Sequence, residues 1–80
     1  MELHDYVQKI MLENVFKPES QIVSVVHYNF SAHGEEAKLL EQSVPLILGE
    51  MRDIYPNCKI ESKKHPAANQ EFNVRFSIKR

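Results

Sequence analysis

Apolar positions along the chain change period from segment to segment, and each change marks an element. Leu3, Val7, Ile10 and Met11 recur at helical steps with Tyr6 beside them, which predicts a helix over 2–15. Lys17-Pro18-Glu19-Ser20 ends it, because proline cannot continue a helix and restricts the residue before it. Residues 21–30, QIVSVVHYNF, are β-branched and aromatic with no Gly or Pro, and predict a strand. One face carries Ile22, Ser24, Val26, Tyr28 and Phe30; the other carries Val23, Val25, His27 and Asn29. Apolar groups on both faces point to a central or two-sided strand.

Ser31-Ala32-His33-Gly34 before Glu35-Glu36 reads as a helix start, with a Ser or Gly cap and acids at the positive end of the dipole. Ala37, Leu40, Val44, Ile47, Leu48, Met51, Ile54 and Tyr55 then hold a 3.6-residue period as far as Pro56. Pro45 removes the bond to the Glu41 carbonyl, yet the stripe keeps phase across it, so one bent helix is expected. Cys58, Ile60 and Ser62 alternate with Lys59, Glu61 and Lys63, predicting a short edge strand. Lys64 to Gln70 read as a loop. Phe72, Val74, Phe76 and Ile78 alternate with Asn73, Arg75, Ser77 and Lys79, the pattern of a strand with one wet face.

The expected fold is therefore α+β: two helices packed on one face of a three-stranded sheet, in the order helix-strand-helix-strand-strand. The first strand, the long helix and the second strand make a βαβ unit with a right-handed crossover, and the last two strands make a hairpin. The charged face of the last strand then turns to water or to a partner.

Composition narrows the function classes. Eighty residues fit one small domain, 1–80, and 42% hydrophobic content with two Gly excludes a disordered or low-complexity chain. The single cysteine, Cys58, allows no internal disulfide and no cysteine-based zinc site, which favours a reducing cytoplasmic setting. The first residues have neither a basic region nor an apolar run, so no signal peptide is expected. No apolar run approaches the roughly 20 residues of a membrane span.

Candidate chemistry is sparse. His27, His33 and Cys58 are the best imaginable metal set, but HxxxH and CxxC spacings are missing, and no metal or cofactor is expected. Cys58 reads as a small apolar residue on an inner strand face. The Ser31–Gly34 turn has one glycine, no lysine and two following acids, which suits a capped helix better than a phosphate cradle. Glu35, Glu36, Glu41, Glu50 and Asp53 lie at surface spacing near Lys38 and Arg52 and read as a solvated face. No acid–base or nucleophile set survives, so no catalytic residue is assigned and an enzyme is not expected.

Charge is the remaining signal. The whole chain carries a formal -1, but residues 1–58 hold four Lys or Arg against nine Asp or Glu, and residues 59–80 hold six against two. The acidic part therefore carries -5 and the basic part +4. The candidate binding residues are Lys59, Lys63, Lys64, His65, Arg75, Lys79 and Arg80. Such a dipole favours oriented contact with a charged partner, or with a second copy, over non-specific polyanion binding. The expectation is a small non-enzymatic protein-binding or regulatory module, with self-association through an edge strand or the open sheet face as one form. Nucleic-acid binding by the basic hairpin is the alternative, weakened because Phe72 and Phe76 sit on the apolar face and leave no ring for base stacking.

The stretch from Ile22 to Lys79 resembles the DinI-like family of DNA-damage-inducible regulators. The resemblance is carried by a strand, a long helix closing on Tyr55-Pro56-Asn57, a strand, Ala67-Ala68-Asn69, and the strand Phe72-Asn73-Val74. It implies this fold and a non-enzymatic role. Members of that family bind a recombinase filament through an acidic C-terminal helix. Here Lys79-Arg80 follows the last strand and an extra helix stands in front, so those binding residues have no counterpart to map onto.

Overall fold

The computed structural model describes residues 2–66 and 69–80. Helix α1 spans Leu3–Glu13 and a 3-10 turn spans Glu19–Gln21. Strand β1 (Val25–His33), helix α2 (Glu35–Ile54), strand β2 (Lys59–Pro66) and strand β3 (Glu71–Lys79) follow. The fold is α+β, and it departs from the expected order by the 3-10 turn before the first strand. The sheet order is β1-β3-β2, and β3 pairs antiparallel with both neighbours. β1 and β2 are thus parallel to each other, joined by α2, with the last strand inserted between them.

The core is one cluster. Tyr6, Val7 and Ile10 of α1 meet Ala37, Leu40, Val44, Ile47 and Met51 of α2 and Phe72, Val74, Phe76 and Ile78 of β3. α2 packs against all three strands, whereas α1 packs chiefly against α2. Even-numbered residues of β3 are buried and its odd-numbered ones face away, so the strict alternation in the sequence decides which face is wet. α2 runs unbroken through Pro45, which sits on its exposed side. Glu41, whose carbonyl the proline deprives of its usual donor, is exposed as well.

Three expectations need correction. First, β1 begins at Val25 rather than 21, and it is an edge strand, not a central one. Ile22 is buried, but from the segment ahead of the strand, while Val23 is 92% exposed. The apolar side chains that suggested two covered faces therefore belong to a loop and a free edge. Second, Ser31, Ala32 and His33 are strand residues, paired with Asn73, Phe72 and Glu71. The turn into α2 is made by Gly34 alone, at φ 63° and ψ -132°, a conformation that glycine adopts without a Cβ penalty. Third, Lys64, His65 and Pro66 extend β2 instead of starting a loop. Ala67 and Ala68, part of the expected loop and of the tripeptide Ala67-Ala68-Asn69, lie outside the described residues.

The segment between α1 and β1 is tied down by polar contacts. The Tyr55 hydroxyl donates to the Lys17 carbonyl at 2.6 Å, and the Lys17 amide donates to the Tyr28 hydroxyl at 2.9 Å. Phe16 lies over Tyr28 with ring centroids 4.9 Å apart. Burial, reinforced by Tyr28, pushes the Tyr55 phenol well above its ordinary value.

Candidate functional site

The alternation that buries Phe72, Val74, Phe76 and Ile78 turns Asn73, Arg75, Ser77 and Lys79 to the opposite face. Strand register then places their neighbours. Lys79 lies between Val25 and Lys59; Ser77 between His27 and Glu61; Arg75 between Asn29 and Lys63; Asn73 between Ser31 and His65. Five of the seven sequence-predicted site residues, Lys59, Lys63, His65, Arg75 and Lys79, therefore share one face. Among the described residues that face carries no Phe or Tyr.

Two predicted residues are placed elsewhere. Lys64 sits opposite Val74, so its side chain leaves on the helix-bearing side of the edge strand. Arg80 serves the fold: its guanidinium donates to the carbonyls of Glu19 at 3.1 Å and Ile22 at 3.2 Å, and its amide donates to Ser24 at 2.9 Å. Its charge anchors the segment before β1.

Polar partners sort the cations further. Lys79 Nζ donates to Glu61 at 3.0 Å, and Lys59 Nζ lies 3.5 Å from the other carboxylate oxygen. The Lys79 hydrogen bond, with help from Lys59, holds the Glu61 carboxyl below its usual range. Arg75 Nε donates to Asn29 Oδ1 at 2.9 Å, and His27 Nδ1 is 2.8 Å from Ser77 Oγ. Among the described residues no carboxylate pairs with Lys63 or Arg75. The unbalanced positive charge is thus the central rung Asn29–Arg75–Lys63, and Glu61 offsets the rung toward Lys59 and Lys79. Sequence reading identified the cations but not Glu61 as their counter-ion, nor Asn29 as the group that orients Arg75. Glu61 was visible as one of the two acids in the basic segment; the Asn29 contact needs the β1–β3 register.

This arrangement can bind acid. A carboxylate or phosphate approaching Arg75 and Lys63 meets a guanidinium already oriented and an ammonium on the adjacent strand. Other candidates are dispersed. His27 and His33 are six residues apart on one strand, about 20 Å, while Cys58 packs against the core. The cleft at the start of α2 is lined by Glu35, Glu41 and Glu71 against a single cation, Lys38, a net negative lining that disfavours an anion at that helix end. Among the described residues no helix is long and apolar enough to cross a membrane. No protein-family model, curated protein or solved structure matches the chain.

Proposed function

We propose that the chain is a small non-enzymatic protein-binding module of a reducing cytoplasmic compartment, whose open sheet face takes an acidic surface of its partner. The observation that carries this reading is the Asn29–Arg75–Lys63 rung, two cations on adjacent strands with which no carboxylate among the described residues pairs, on a face turned away from the core. Polar small residues surround it, which suits a wet, hydrogen-bonding contact rather than an apolar one. A DinI-like resemblance supports a regulator's role in the same reading, but not that family's partner. Nucleic acid would use the same cations, but Glu61 sits on two of them and, among the described residues, the face offers no Phe or Tyr ring for stacking.

Affinity capture of the tagged chain from its host, with and without nuclease, tests the reading. A protein partner should be captured after nuclease treatment and lost with Lys63→Glu plus Arg75→Glu, a variant that changes only exposed side chains. Capture unaffected by the double variant overturns the reading. Retention that disappears with nuclease turns it to the nucleic-acid alternative.

A further inference from the structure

The two edges of the sheet differ in chemistry, and the register shows which backbone groups each one offers. Just beyond the ends of the β1–β3 ladder, the Arg80 amide donates to the Ser24 carbonyl and the Gly34 amide to the Gln70 carbonyl, both at 2.9 Å. These pairs continue the register of Val25↔Lys79 and His33↔Glu71. In an antiparallel ladder, bonded and non-bonded pairs alternate. Even-numbered residues of β1 therefore bond to β3, and Val25, His27, Asn29, Ser31 and His33 turn their N–H and C=O groups outward. By the same alternation, Ile60, Ser62, Lys64 and Pro66 face outward from β2.

The β2 edge is guarded. Lys59, Lys63 and Lys64 lie on it against Glu61 alone, and Pro66 has no N–H to offer. The β1 edge has none of these devices. Over nine residues, VVHYNFSAH, it contains no Lys, Arg, Asp, Glu or Pro. All five residues with outward backbone groups are exposed. An open cleft separates its middle, at Asn29, Phe30 and Ser31, from Lys9, Glu13 and Asn14 of α1.

We infer that β1 is a self-association edge, pairing antiparallel with β1 of a second copy about a two-fold axis at Asn29 to make one six-stranded sheet. The inference deepens the protein-binding reading, resting on it and naming a second copy as one partner. The strand is self-complementary about that centre. Asn29 meets Asn29 of the second copy, His27 meets Ser31, and Val25 meets His33, so every outward N–H and C=O finds its counterpart, about ten backbone bonds in all. On the core side Tyr28 meets Phe30 and Val26 meets Ala32. Tyr28 and Phe30 are both only half-buried in one copy, and directly opposite aromatic pairs stabilise a sheet. Charge does not oppose the pairing. Arg75 of each copy is one strand in from the seam, so the two guanidiniums lie three strand spacings apart, about 14 Å, beyond the ~8 Å screening length at physiological salt.

Sedimentation equilibrium on the whole chain, with amide hydrogen exchange at low and high protein concentration, tests this. The expected result is a monomer–dimer equilibrium in which the amides of His27, Asn29 and Ser31 become slower to exchange as dimer forms, while those of Ile60, Ser62 and Lys64 do not. Asn29→Lys and Asn29→Glu should each weaken dimerisation about tenfold or more by setting like charges face to face, and an equimolar mixture of the two should restore it. A chain that stays monomeric at high micromolar concentration overturns the inference, as does a dimer whose protection falls on β2 or is indifferent to both Asn29 variants. A monomer that still captures an acidic partner through Lys63 and Arg75 overturns the dimer and leaves the sheet-face reading standing. A dimer that captures no other protein supports the dimer and overturns the sheet-face reading.

Discussion

Tyr55 shows how one residue connects three parts of the chain. It ends the stripe of α2, its ring is buried, and its hydroxyl reaches the Lys17 carbonyl at 2.6 Å, with the Tyr28 hydroxyl 3.5 Å away. Tyr55→Phe keeps the ring and removes the donor, leaving the Lys17 carbonyl to compete for water beside an apolar core. A loss of about 1–2 kcal/mol in chemical denaturation is expected. Alkaline stability follows from the same burial. Burial and the nearby Glu36 push the Tyr6 phenol up to about 12, and Tyr55 is raised as well. A raised phenol in the folded state means the unfolded chain ionises first. Stability from both groups is therefore complete below the unfolded value of about 10 and is lost as pH climbs from there through the folded value. Tyr55→Phe should flatten that alkaline decline as well as lower stability at neutral pH; a decline as steep as in the parent would refute its origin in Tyr55.

At the scale of elements, α2 carries the fold and also its clearest local conflict. Pro45 stands inside a twenty-residue helix, where proline costs roughly 3 kcal/mol relative to alanine. It is exposed, so replacing it opens no cavity. Pro45→Ala should restore the bond to Glu41 and raise stability by about 1–3 kcal/mol. Lower stability of the variant in thermal unfolding would refute this. The helix and β3 were legible because each has a period that a single face imposes. β1 was less so. Val23 and Val25 look like the second face of a buried strand, but whether a strand is central depends on partners its own sequence does not name. The end of β2 was hidden for a related reason. Ser62 and Lys64 are exposed and so show no apolar period, and the pairing that makes them a strand is supplied by β3. The cationic face was half legible: the residues are basic in sequence, but only the register shows that Glu61 quiets Lys59 and Lys79 and that Arg80 has left the group.

For the whole molecule, net charge is the wrong descriptor and its distribution is the right one. The formal charge is -1, with -5 on residues 1–58 and +4 on residues 59–80. What a partner senses depends on the screening length against the size of the molecule. The extents are 37 × 24 × 18 Å. At about 0.1 M salt the screening length is ~10 Å, shorter than the thinnest of these dimensions. An approaching surface then responds to the face in front of it and hardly to the acids behind. In much lower salt the length grows to ~30 Å and the two halves average out. The chain should therefore be retained by a negatively charged resin near 0.1 M salt, despite its negative net charge. Lys63→Glu plus Arg75→Glu reverses the two cations that no carboxylate among the described residues pairs with, and should abolish retention. Of two variants that each remove one charge, Lys79→Gln should weaken retention less than Lys63→Gln, because Glu61 already offsets the Lys79 ammonium at 3.0 Å. If both variants elute alike, the positive potential is spread over the hairpin and the central rung has no special standing. Passage of the parent chain straight through would mean that the acidic helices dominate the field even at this screening.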